Sequence, residues 1–92
     1  DTVYSTGSGI ILHAGWCGGY GRCITIFHGN NYESIYAHLN KVFVTQKDTI
    51  YDGQPIGTVG NTGHSTGQHL HYEIIYEGTS IDPFPYITTK IP

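Results

Sequence analysis

Two histidines one residue apart, His69 and His71, follow the run Gly60-Asn61-Thr62-Gly63-His64-Ser65-Thr66-Gly67-Gln68. On an extended strand, residues two apart point to the same face. Both imidazoles then project side by side, with Glu73 next along the row. Neutral imidazole is a common metal ligand and a ready acid or base near neutral pH. The pattern points to metal-assisted hydrolysis, with these histidines as zinc ligands or as acid and base beside a zinc. Glu73 reads either as a carboxylate that orients the pair or as an exposed strand residue. A hydrolytic zinc takes three protein ligands and keeps one position open. His38, in Tyr36-Ala37-His38-Leu39, is the candidate third imidazole. His13 and His64 read as structural or exposed, and His28 as a capping or packing residue before its Gly-Asn turn.

These residues need elements to hold them, and the chain supplies strands. Gly9–Ala14 and Cys23–His28 read as a pair joined by a cysteine loop. Glu33–Leu39 alternates Ser34, Tyr36 and His38 against Ile35, Ala37 and Leu39, which places His38 on the polar row. Lys41–Val44 is a further short strand, and Asp48–Gly53 brings a turn. Gln54–Val59 precedes the glycine run, and His69–Tyr76 is expected to be the longest strand. Strand runs punctuated by turn signals, with no trustworthy helical period, predict an all-β antiparallel fold with an open barrel-like or sandwich core. One domain, residues 1–92, is all the length allows.

Composition narrows the function. Net charge is −3 and the four basic residues form no cluster, so binding nucleic acid through phosphates is excluded as a main role. No apolar run reaches the roughly 18 residues that a membrane span needs. Cys17 and Cys23 flank Gly18-Gly19-Tyr20-Gly21-Arg22, a spacing unlike a CxxC motif. They read as a disulfide closing a glycine-rich hairpin tip, with two free thiols as the alternative. A disulfide places the protein in an oxidising compartment: extracellular, periplasmic or envelope, virions included. The cupin spacing is not met, because Glu73 lies two residues beyond the HxH rather than four. Neither a nucleophile elbow nor a P-loop or Rossmann fingerprint is present.

Taken in order, Tyr36-Ala37-His38-Leu39, Gly53-Gln54-Pro55-Ile56-Gly57, Gly60-Asn61-Thr62-Gly63, Ser65-Thr66-Gly67 and His69-Leu70-His71-Tyr72-Glu73-Ile74 resemble the lysostaphin/LytM-type zinc metalloendopeptidases of peptidoglycan. The resemblance runs from about Val3 to Tyr86. Gly15-Trp16, Gly19-Tyr20-Gly21 and Ser80-Ile81-Asp82-Pro83 fit it too. It implies zinc as cofactor, a peptidoglycan peptide as substrate and His71 as a zinc ligand. It implies His38 and His69 as the catalytic pair, and Tyr36, Asn61, Thr62 and Gly63 at the substrate groove.

The family's other two ligands come from an upstream His-x-x-x-Asp that is not among these 92 residues. Asp1 falls too late in the pattern to be its aspartate. The expectation is a domain lacking its N-terminal segment, with an incomplete zinc site and no activity on its own. The alternatives are a non-catalytic envelope module that binds peptidoglycan or activates other enzymes, and a structural domain of a phage tail or secreted assembly. An open sheet edge would also suit a protein partner.

Overall fold

The computed structural model describes residues 2–60 and 71–81. Eight strands follow in order: β1 (Thr2–Tyr4), β2 (Gly9–Trp16), β3 (Arg22–Gly29), β4 (Tyr32–Val42), β5 (Thr49–Ile50), β6 (Pro55–Val59), β7 (His71–Tyr76) and β8 (Thr79–Ile81). All pairings are antiparallel, in the order β1-β6-β4-β3-β2-β5, with β7 added to β4 and β8 to β7. The sheet curls into an open half-barrel, as expected for an all-β chain. A single 3-10 turn, Gly18–Tyr20, interrupts the pattern between β2 and β3.

Turn chemistry sets the hairpins. Asn30 and Asn31 join β3 to β4 with φ of 52° and 67°. Glu77 and Gly78 join β7 to β8 with φ of 51° and 81°. Two successive left-handed residues twist a two-residue turn to match its strands. The core lies on one face of the sheet, where Ile11, Ile24, Ile26, Tyr36, Leu39 and Ile56 pack together.

Two strand expectations are corrected. Among the described residues the longest strand is β4, with 11 residues, whereas the described part of the HxH strand, β7, has six. Lys41 and Val42 continue β4 instead of opening a separate strand. One long strand serves two partners on the same edge: β7 pairs with Tyr32–Ala37, and β6 with Leu39–Val42.

Polar groups within this sheet are satisfied in a chain. Ser8 O and Ser34 Oγ each lie 2.7 Å from a ring nitrogen of His28. The Nδ1–H donates to the Ser8 carbonyl, so Nε2 accepts from Ser34. Tyr36 Oη accepts the Thr6 N–H at 3.0 Å, and Thr6 Oγ1 reaches Tyr36 and Tyr72 hydroxyls at 2.8 Å each. His28 is therefore a packing residue, as its place before the turn suggested. Burial holds its pKa below the ordinary 6.5, opposed in part by the Ser8 hydrogen bond. The folded state resists protonation more than the unfolded chain does. Stability is then complete above the unfolded value and declines as pH falls below about 6.5 toward the lowered folded value. Melting temperature against pH should show this fall in the parent and a flatter curve in His28→Gln.

Candidate active site

A bulge in β4 builds the site. Tyr36 pairs with Ile24 of β3, but the next β3 partner pair is Arg22 with Leu39. Three steps along β4 thus match two along β3, so one residue is extra. Tyr36 and Leu39 both face the core, and Ala37 and His38 between them turn to the other face. His38 adopts φ of 61° to do so, a left-handed conformation that costs on the order of 1–3 kcal/mol for a residue with a side chain. Simple alternation placed His38 in one row with Ser34 and Tyr36, and the bulge moves it to the opposite face.

The bulge lies where β4 changes partner. Gly60 N–H donates to His38 O at 3.0 Å, and His71 pairs with Ala37. The end of β6 and the start of β7 therefore converge on His38. Glycine is required at position 60, because a Cβ there would stand 2.4 Å from the Asn40 nitrogen and 2.7 Å from its Cα. Gly60→Ala should destabilise the fold by about 1–3 kcal/mol through this backbone clash, read as a lower urea midpoint at unchanged slope.

His38 and His71 face each other with ring centroids 6.0 Å apart. His38 is buried, at 8% exposure, and His71 is more open. His71 Nε2 lies 2.7 Å from Glu73 Oε1. The carboxylate accepts the Nε2–H, which leaves Nδ1 as the ring nitrogen with a lone pair. Glu73 thus orients His71, the first of its two sequence readings.

Tyr20 completes the cluster. It extends from the 3-10 turn, donates its hydroxyl to Glu73 Oε1, and places its ring 5.3 Å from that of His71 and 6.4 Å from that of His38. The Tyr20 hydrogen bond, then that from His71, holds the Glu73 carboxyl below its ordinary pKa. The same contact raises the Tyr20 phenol. Sequence reasoning did not place Tyr20 at the site. The available signal was an aromatic residue between glycines inside a cysteine-bounded loop. Cys17 and Cys23 do form the disulfide that closes this loop.

Tyr36 is 1% exposed and faces the core, with its hydroxyl in the Thr6 network. It borders a cavity of about 330 Å³ on that face, with Val3, Val59 and Tyr72 among the other walls. His69, Asn61, Thr62 and Gly63 lie outside the described residues. Among the described residues, no helix is long and apolar enough to cross a membrane.

Residues 1–83 match the model of peptidase family M23. The chain is 40% identical over 80 residues to the peptidoglycan DD-endopeptidase ShyA of Vibrio cholerae, covering 87% of this chain and 19% of that protein. It is 38% identical over 91 residues to the murein hydrolase activator NlpD of Salmonella typhimurium, covering 98% of this chain and 24% of that protein. Among solved structures, the catalytic domain of the antimicrobial peptidase lysostaphin from Staphylococcus simulans superposes with a TM-score of 0.90. Identity there is 34%, covering 96% of this chain and 71% of that one. A zinc-containing peptidase from Vibrio cholerae superposes at 0.87 with 32% identity, covering 99% and 27%. The chain spans 19% of the length of the first curated relatives it matches.

Proposed function

Because the chain belongs to peptidase family M23, we propose that it forms the histidine-bearing part of a zinc-dependent endopeptidase acting on peptidoglycan peptides in the cell envelope. The observation that carries this reading is the meeting of His38 and His71 on one face, with His71 Nε2 tied to Glu73. That hydrogen bond suits His71 to hold a metal through Nδ1, since a carboxylate on the far nitrogen fixes the tautomer and makes the ring more basic. When bound, zinc supplies Lewis-acid polarisation of a peptide carbonyl and acidifies water. His38 takes and returns a proton at the reacting peptide, with His69 as its partner in that work. Tyr20 and Glu73 keep His71 in place. Asn61, Thr62 and Gly63 are assigned to contact with the substrate peptide. Tyr36, facing the core, supports β4 from behind.

His71 is proposed as one of the three protein ligands that a hydrolytic zinc takes; the family pattern draws the other two from a His-x-x-x-Asp that is not among these 92 residues. A protein joining such a segment to this domain should bind one zinc and clear a suspension of purified sacculi. With the Cys17–Cys23 disulfide formed, the 92 residues alone should do neither. Zinc-loaded protein that leaves sacculi intact and releases no peptide would refute the peptidase reading. A second reading is favoured by the similarity to a murein hydrolase activator across 98% of this chain: a module that binds peptidoglycan and stimulates another hydrolase. Its signature is sedimentation with sacculi and faster release by an added hydrolase, without release by the domain itself.

A further inference from the structure

The hairpin tip opposite the end of β2 carries a second donor cluster. His13 pairs with Thr25, and Gly15 with Cys23, so His13 and Cys23 share one face of the β2–β3 ladder. Cys17 follows directly after β2. A ring nitrogen of His13 and the sulfurs of Cys17 and Cys23 all lie within 4.8 Å of one another. In the oxidised protein the sulfurs are joined and the cluster offers one imidazole.

We propose that the reduced form of this tip is a binding site for one thiophilic cation of the zinc class, held by His13, Cys17 and Cys23. Zinc–sulfur bonds of about 2.3 Å and zinc–nitrogen bonds of about 2.0 Å set tetrahedral donors roughly 3.5–4 Å apart. The His13 nitrogen is within about 1 Å of that spacing already. The loop keeps its shape through bonds that do not involve sulfur. Cys17 N–H donates to Gly21 O at 2.7 Å, Tyr20 N–H to Cys17 O at 3.2 Å, and Gly21 N–H to Gly18 O at 2.9 Å. The Cα atoms of the two cysteines are 5.9 Å apart, a separation that also serves two thiolates on one metal. His13 is exposed, which gives the cation a path in and leaves its fourth position to water.

The two states interconvert by balanced chemistry. A dithiol reductant gives two electrons and two protons to the Cys17–Cys23 disulfide, leaving two protein thiols and an oxidised dithiol. Cation binding then displaces both thiol protons to water. An occupied site blocks reoxidation, because both sulfurs are engaged. This site does not depend on the peptidase reading, since His13 and the cysteines are not among the residues assigned to hydrolysis.

The test is a titration of the 92-residue chain with Co²⁺, after reduction and anaerobic removal of the reductant, in a His71→Ala background. A thiolate-to-cobalt charge-transfer band saturating at one equivalent is expected, bleached by added Zn²⁺ and absent from the oxidised protein. His13→Ala should weaken binding at least tenfold. The proposal fails if the reduced chain gives no such band, or if His13→Ala binds as tightly as its parent. It fails equally if reduction unfolds the chain by far-ultraviolet dichroism and cobalt does not restore it.

Discussion

His38→Ala should lower peptide release by about 10²–10⁴-fold, the usual contribution of a positioned acid or base, while zinc content stays at one per chain. His71→Ala should lose the zinc and the activity together. Both are measured in a protein that joins this domain to a His-x-x-x-Asp segment. The two histidines separate because their surroundings differ. His71 carries the Glu73 carboxylate on Nε2, which leaves the lone pair on Nδ1. His38 is tied through its backbone to Gly60 and turned toward His71 by the β4 bulge. His38→Asn is the control, since asparagine tolerates the left-handed backbone at this position better than alanine does. Equal losses in both variants, with the fold intact, mean that the imidazole acts rather than the bulge geometry. Activity within about threefold of the parent in His38→Asn would remove His38 from the proton-transfer role, given the size of the usual effect.

The position of His38 is legible from the sequence only in part. The Asn30-Asn31 and Glu77-Gly78 turns are readable because Asn and Gly tolerate left-handed backbone, and each ends a strand close to where local chemistry placed it. The row shared by His71 and Glu73 was readable from the period of two along one strand. The side of the sheet that His38 occupies was not. Period-two counting assumes an unbroken ladder, and the extra residue at Ala37–His38 reverses the facing of everything beyond it. No local signal marks that bulge, because it arises from β4 being shared between β6 and β7, strands that lie far along the chain. Tyr20 was hidden for a similar reason. Its contact with Glu73 spans 53 positions and exists only because the hairpin tip folds over the β4–β7 face.

Ile24→Ala should cost about 2–5 kcal/mol, the range for removing a large aliphatic side chain from a packed interior. Ile24 is fully buried at 0% exposure and lies in β3, between β2 and β4. It pairs with Ala14 on one side and Tyr36 on the other, so neither neighbour can move into the void without leaving its ladder. The lost burial and the cavity therefore add. Against a net stability of about 5–15 kcal/mol for a domain, this loss brings a 92-residue chain close to unfolding at ambient temperature. Ile24→Val removes one methylene and should cost about 0.5–1.5 kcal/mol. Urea unfolding monitored by dichroism and by Trp16 fluorescence measures both variants, with coincident curves expected from the two probes. A cost below about 1 kcal/mol for Ile24→Ala would mean that the β3–β4 core relaxes far more than its pairing allows. The site has a stake in the same packing. Ile24 supports Tyr36, and Tyr36 begins the three-residue step that carries His38 across the sheet, so the alanine variant should also loosen the His38–His71 pair before global unfolding. Faster amide exchange at Ala37 and His38 than at Ile26, relative to the parent, is the expected sign of that loosening.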